Sequence, residues 1–274
     1  MPQTIVAFVA DLMFQTRLES TAGHLGYSVD WIESAQYFDS FPADQRLALG
    51  VEGLLVDHLS RIGPDLLVFD LGNTAIPWEQ WIPVLKTIPA TRRIPILCFG
   101  SHVDVDTLQA ARKAGADQVV ARSRFVTALP ELIQKYARQT SAEVWSDTCA
   151  QPLAPKAIKG LELFNQGDYF GAHEWLEEAW KEDFSPGRDL YRGVLQVAVA
   201  YFQVRRRNYR GAMKMFQRAR YWLDPLPGEC RGIDLASLRV QAYAVHDQVL
   251  ALGPQGIDTI DPALLMPIHW VISN

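Results

Sequence analysis

The chain has 274 residues and a mass of 30.8 kDa, long enough for two domains that each bury a core. Hydrophobic residues make up 49% and charged residues 21%, a balance that excludes disorder as the main state. A formal net charge of -5 argues against a broad nucleic-acid surface, which needs clustered Lys and Arg to displace counterions from phosphates.

The first residues, MPQTIVAFVADLMF, lack the basic start and cleavage signal of a secretory peptide and read as a first strand. No apolar run is long enough to cross a bilayer, so no membrane partner is expected. Cys98, Cys149 and Cys230 form no CxxC pair. That spacing suggests neither a disulfide framework nor a thiolate zinc site, and a reducing cytoplasm fits.

Between residues 4 and 136 short apolar runs alternate with amphipathic segments, the pattern of a parallel sheet with helices on both faces. Strands are expected at 5–9, 28–32, 66–69, 96–99 and 118–120, and helices at 15–25, 43–61, 78–86, 105–114 and 124–136. His24, His58 and His102 are scattered without metal-ligand spacing and read as structural or surface histidines.

Three stretches carry a resemblance: Pro64-Asp65-Leu66-Leu67-Val68-Phe69-Asp70, Ile94-Pro95-Ile96 and Ala114-Gly115-Ala116-Asp117. Through them the first half resembles the receiver domain of two-component response regulators, which implies a flavodoxin-like five-stranded parallel sheet in the order 2-1-3-4-5. The resemblance makes Asp70 the phosphoacceptor and Asp11 a Mg²⁺ ligand, but Ala10 stands where a second acid is usual. Gly100 replaces the hydroxyl residue, with Ser101 a possible stand-in. Arg122 replaces the lysine, and Ser123 the proline that follows it. Phosphoryl transfer needs its equatorial charge neutralised and its divalent ion held by carboxylates. Together these losses imply a degenerate acceptor site.

The receiver-like domain is assigned to residues 1–137 and a linker to 138–155, RQTSAEVWSDTCAQPLAP, where Pro152 and Pro155 oppose a continuous helix and Trp145 docks on one domain. From 156 to 274 the period is helical, with helices expected at 157–165, 168–181, 188–206, 209–223 and 235–250. Turns are expected at Gly167, at 185–187 and at 225–229. This is an all-α bundle. The basic run Arg205-Arg206-Arg207, with Arg210, falls at a helix end, where cations complement the dipole.

Asp168-Tyr169-Phe170-Gly171-Ala172 recurs as Asn208-Tyr209-Arg210-Gly211-Ala212, with Asp or Asn able to cap a helix and Gly and Ala leaving room for a neighbouring one. The Gly-Asp-Tyr turn resembles that of tetratricopeptide hairpins. The segment also resembles a helical family known as domain of unknown function 309. That match runs through Leu163-Phe164-Asn165-x-Gly167-x-Tyr169, Ala172-His173-Glu174-x-Leu176-Glu177-x-x-Trp180, Arg192-Gly193-x-x-Gln196-x-Ala198 and Asn208-x-x-Gly211-Ala212. It implies a helical fold and brings no established activity.

On the second helix His173, Glu177 and Trp180 edge an apolar stripe, and on the third Arg192 and Gln196 edge another. If the rows meet, Glu177 accepts from Arg192 while His173 and Gln196 complete a hydrogen-bonded clasp. The sharper alternative is a pocket in which His173 and Glu177 bind a metal or serve as acid and base and Arg192 holds an anion. Trp175, Trp180 and Trp222 read as core or interface residues, and His246 as a core-edge histidine. The tail from Gln255 folds back on the bundle or the domain boundary with Trp270 as anchor.

The expected function is a non-catalytic adaptor: a pseudo-receiver platform carrying a helical module that binds a protein partner or a second copy. The alternatives are a small-molecule- or metal-binding enzyme using His173, Glu177 and Arg192, and a regulator phosphorylated at Asp70. No cofactor is expected for the adaptor; Mg²⁺ at Asp11 and Asp70, or a metal at His173 and Glu177, belongs to the alternatives.

Overall fold

The structure is a computed structural model that describes residues 3–138, 143–185 and 187–271. Residues 139–142 of the expected linker and Pro186 of the expected turn lie outside them. The chain divides into two compact units, Met1–Pro42 with Gly50–Gln139, and Ala43–Leu49 with Thr140–Asn274.

In the first unit β1 (Gln3–Phe8), β2 (Tyr27–Trp31), β3 (Leu66–Asp70), β4 (Ile96–Gly100) and β5 (Gln118–Ala121) form one parallel sheet in the order β2-β1-β3-β4-β5, the flavodoxin-like order. Every residue of β3 and β4 is buried, as a strand covered on both faces requires. The helices of this half are α1 (Leu12–His24), α2 (Ala43–Ile62), α3 (Trp78–Thr87), α4 (Val105–Ala114), α5 (Arg122–Thr127) and α6 (Leu129–Tyr136).

Period-2 alternation sorts the strand side chains into two cores. Ile5, Ala7, Val68, Leu97 and Phe99 pack with Phe14 and Leu18 of α1, Phe125 of α5 and Ile133 of α6. Phe99 stacks on Phe125 at 4.0 Å. On the other face Phe8 stacks on Phe69 at 4.1 Å, and Trp81 of α3 sets its edge against Phe8 and Phe38.

Three boundaries differ from expectation. Helix α1 starts earlier because the Asp11 carboxylate accepts from the Met13 amide at 2.9 Å and caps it. The single helix expected over 124–136 is two, parted at Ala128, with Pro130 in the first turn of α6. Helix α2 breaks at Gly50, whose φ of 70° and ψ of 170° are non-helical. The piece before the break belongs to the second unit, where Gln45 Nε2 donates to the Leu250 carbonyl at 2.6 Å and Arg210 Nε to that of Ala48 at 2.8 Å.

The second unit contains α7 (Glu143–Cys149), α8 (Pro155–Asn165), α9 (Tyr169–Glu182), α10 (Arg188–Arg205), α11 (Tyr209–Leu223) and α12 (Leu235–Gly256). Helix α9 packs between α8 and α10, and α10 packs on α11. The short α7 falls inside the expected linker, and Trp145 packs partly buried against the helical core, as its apolar ring demands.

The sequence repeat is one turn built twice. In the first copy Gly167 N donates to Phe164 O and Asp168 N to Leu163 O; in the second Arg207 N donates to Val204 O and Asn208 N to Gln203 O, each at 2.9 Å. These are paired Schellman bonds, and they need a left-handed residue before the next cap. Gly167 supplies it at φ 80°, and Arg207 supplies it at φ 57° despite its Cβ. Asp168 and Asn208 then cap α9 and α11 by accepting from Gly171 N and Gly211 N.

The repeated Gly serves the cap as well as the expected close approach. A Cβ on Gly171 would strike the capping Asp168 side chain, and one on Gly211 would strike the capping Asn208 and meet Gln203 Cδ of α10 at 3.0 Å. Closer approach falls to Gly160, whose Cβ would lie 2.7 Å from Leu176 Cγ, and to Gly193, whose Cβ would run into Leu223. Overpacking of this kind costs about 1–3 kcal/mol.

Two further features were not expected from the sequence. Strands β6 (Glu229–Cys230) and β7 (Ile233–Asp234) make a hairpin whose two turn residues, Arg231 and Gly232, have φ of 53° and 79°, as a type I′ turn requires. Cys149 and Cys230 are joined in a disulfide spanning 81 residues, where the spacing suggested none. The tail folds back on the bundle: Trp270 bridges Ile233, and the Asn165 amide bonds both backbone groups of Ile268 at 2.8 Å. Among the described residues no helix is long and apolar enough to cross a membrane.

Candidate functional site

Parallel strands bring the ends of β1, β3, β4 and β5 to one edge, which places Asp11, Asp70, Ser101 and Arg122 there. Asp70 is buried at 4% exposure. Its Oδ1 accepts from Gly72 N at 2.9 Å and from Arg122 Nη2 at 3.1 Å. The guanidinium lies so close over Gly72 that a Cβ there would collide with Nη2, and it also faces the Phe14 ring at 5.6 Å.

Asp11 is exposed and spends a carboxylate oxygen on the α1 cap. Ser101 is half-buried. Mg²⁺ demands near-octahedral oxygen ligands, and a capping carboxylate beside one already shared by an amide and a guanidinium fits it poorly. Among the described residues no three His, Cys, Asp or Glu side chains gather as a metal would need.

The second candidate lies on α9 and α10. Helical spacing puts Phe170, His173, Glu177 and Trp180 on one face of α9, and Arg188, Arg192 and Gln196 on one face of α10. Trp180 is brought to two cations: the guanidinium carbon of Arg188 lies 4.6 Å from its ring centroid and that of Arg192 lies 4.7 Å away. Arg192 also faces Trp222 of α11 at 4.0 Å. Such contacts contribute about 0.5–2 kcal/mol each, depending on desolvation.

The expected clasp is not formed. Glu177 pairs along its own helix with Lys181 at 3.4 Å, so its carboxylate serves the helix surface. His173 packs its ring 6.2 Å from Phe170 while its Nδ1 is buried without a hydrogen-bond partner. Gln196 Oε1, Trp180 Nε1 and Arg188 Nε are likewise buried and unpaired. Leaving such an atom unsatisfied costs about 1–3 kcal/mol, so the helices are held by apolar packing in spite of these groups.

Sequence reasoning missed Arg188 and Arg231. Arg188 sits one helical turn before Arg192 on the same face, a spacing that could have drawn attention to it. Arg231, 6% exposed, spends all its donors: Nε on Thr148 O, Nη1 on Asp183 and the Tyr191 hydroxyl, and Nη2 on Gln151 and the Ser185 hydroxyl. Burial pushes the Asp183 carboxyl up, but bonds from Ser185 and Arg231 outweigh it and hold the group below the usual carboxylate range.

Between α11 and α12 the Tyr243 hydroxyl donates to Asp224, while Arg220 lies 3.7 Å over the Tyr243 ring. Burial pushes both the Asp224 carboxyl and the Tyr243 phenol up. His246, expected at the core edge, is fully buried, with Nδ1 3.4 Å from Arg220 Nη2. Nothing in the sequence marks these as one cluster, because they come from two successive helices with a hairpin between them.

Comparison with known proteins divides along the same line. The N-terminal half is similar to solved receiver-type structures: a putative response regulator from Chloroflexus aurantiacus J-10-fl (19% identity, 50% of this chain and 98% of that one, TM-score 0.40) and a response regulator from Thermotoga maritima (16%, 50% and 98%, TM-score 0.36). The chain is also 49% identical over 95 residues to the Bacillus subtilis (strain 168) protein described as uncharacterized protein YpuF, covering 32% of this chain. It spans about half, 53%, of that relative's length. Residues 157–215, the stretch that holds His173, Glu177, Trp180, Arg188, Arg192 and Gln196, match the family described as Domain of unknown function (DUF309), and the C-terminal half therefore carries a domain of that family.

Proposed function

We propose that the protein is a non-catalytic adaptor in which a receiver-like unit that no longer takes a phosphoryl group is joined to a helical module that binds a protein partner or a second copy. One observation carries this reading: Arg122 Nη2 donates to Asp70 Oδ1 and lies over Gly72, so a guanidinium stands beside the carboxylate that a phosphoryl group and its metal would need. Its charge offsets that of Asp70. The helical module adds exposed aromatic side chains, Phe170 and Trp175 on α9 and Phe184 after it, that a partner could cover.

The test is incubation of the full chain with Mg²⁺ and acetyl phosphate, followed by intact-mass and peptide mass spectrometry. The adaptor reading expects Asp70 to stay unlabelled and the chain to self-associate or to retain a protein in cross-linked native extract. Labelled Asp70 would make the protein a phosphorylated regulator instead. A strictly monomeric chain that retains nothing would remove the adaptor role.

A further inference from the structure

Large aromatic side chains left in water are the least explained feature of the helical unit. Phe170 and Trp175 on α9 are 53% and 41% exposed, and Phe184, just after the helix, is 88% exposed. At about 100° per residue, Phe170, Glu174, Glu178, Glu182 and Trp175 fall in that order within an arc of roughly 140°. Rings and carboxylates therefore share one outward face. Apolar side chains rimmed by charge are the composition of a protein-binding surface.

The charges on this face are sorted by sign. Where α9 begins, Arg205 and Arg206 are exposed. Arg205 Nη1 donates to the Gly167 carbonyl at 2.9 Å, and Arg206 lies 5.4 Å over the Phe202 ring, whose centroid is 5.6 Å from that of Phe170. Toward the other end stand Glu178 and Glu182, with Glu174 between. Lys156 pairs with Glu178 at 3.6 Å and with Glu182 at 2.6 Å, while Lys181 pairs with Glu177 and Glu178 at 3.4 Å. These are surface pairs that contribute little and can be shared with an incoming cation. Two lysines also leave the four carboxylates Glu174, Glu177, Glu178 and Glu182 with a net negative charge. The positive end and the negative end are separated by the length of α9 from Phe170 to Glu182, roughly 18 Å.

A face that is positive at one end and negative at the other is complementary to itself turned end for end. A two-fold axis makes that match twice, because residue i of one copy meets residue j of the other and j meets i. We infer that the exposed face of α9 is the surface on which a second copy of the chain docks about a two-fold axis, α9 antiparallel to α9, with Arg205 and Arg206 of each copy against Glu178 and Glu182 of the other. This rests on the adaptor reading and chooses the second copy as its partner. The same pairing brings the two Trp175 side chains toward the axis and Phe170 of each copy toward Phe184 of the other, which takes all three rings out of water.

The experiment is sedimentation velocity with light scattering on the full chain across a dilution series. A reversible dimer weakened by added salt is expected. The charge reversals Arg205→Glu with Arg206→Glu, and Glu178→Arg with Glu182→Arg, set like charges against each other. Each pair should weaken the dimer at least roughly tenfold with the circular dichroism unchanged. An equal mixture of the two variants should restore it, since one face is then positive throughout and the other negative. Trp175→Ser, at an exposed position, should also weaken the dimer without touching either charge.

A chain that is monomeric throughout the series, charge variants that dimerise like the parent, or a mixture that stays monomeric would overturn the inference. Assemblies that keep growing with concentration would reveal an open head-to-tail contact and overturn the two-fold pairing. If the chain is monomeric but retains another protein in cross-linked native extract, the adaptor reading stands without this interface. If the dimer forms and responds as described but Asp70 is labelled by acetyl phosphate, the interface stands and the adaptor reading falls.

Discussion

Replacing Arg207 by glycine should stabilise the helical unit, because Arg207 occupies the left-handed position that Gly167 fills in the first copy of the turn, with φ 57° against 80°. A side chain held in that region costs about 1–2 kcal/mol. Glycine gives back about 0.5–1 kcal/mol through the greater freedom of the unfolded chain. Arg207 is exposed, so little packing is lost, and the net gain is about 0.5–1 kcal/mol. The reciprocal change, Gly167→Ala, meets no atom nearer than Arg205 Nη1 at 3.5 Å, so its net cost, about 0.5–1 kcal/mol once the stiffer unfolded chain is counted, is conformational alone. Two units can unfold separately, so the assay is hydrogen-exchange mass spectrometry across a urea series, read on peptides from α8 to α11. With a slope of about 2 kcal/mol per molar urea, Arg207→Gly should raise the midpoint by about 0.25–0.5 M. A lowered midpoint, or a Gly167→Ala variant as stable as the parent, would refute the claim that both turns obey one backbone rule.

Other expectations concern the buried groups. Arg231→Met leaves the Asp183 carboxylate in a largely buried place without its cation and should cost about 3–5 kcal/mol in chemical denaturation. The Asp183 carboxyl is held below its ordinary value, so its stabilisation is present above the unfolded pKa of about 3.9 and lost as pH falls through the lower folded value. The variant should therefore show a shallower acid limb below about pH 4, and an unchanged limb would contradict this assignment. Cys149→Ser with Cys230→Ser opens a link between residues 81 apart in sequence, and chain entropy sets the loss at about 3–5 kcal/mol; a denaturation midpoint indifferent to reductant would show that the link contributes nothing.

How much of this could be read beforehand depended on whether the controlling interaction was periodic. Runs such as 66–70 and 96–100 announce strands buried on both faces, and the apolar stripes of α9 and α10 announce a bundle. Isolated φ values leave no period: Gly50 breaks an otherwise continuous helical pattern, and two-residue strands are too short to alternate. Arg231 leaves no mark in the sequence because its five partners come from α7, the segment after it, the α9–α10 turn and α10. At the candidate site the residue types and their faces were legible. Their pairing was not, since Lys181 stood closer to Glu177 along the helix, and Trp180 was better placed for cations than for a hydrogen-bonded clasp.

The account turns on whether Asp70, bonded by Arg122, still takes a phosphoryl group. Intact-mass and peptide mass spectrometry of the full chain after incubation with Mg²⁺ and acetyl phosphate answers that most directly. No phosphoryl mass on the peptide that holds Asp70 is the predicted result. A phosphoryl group on Asp70 would contradict it.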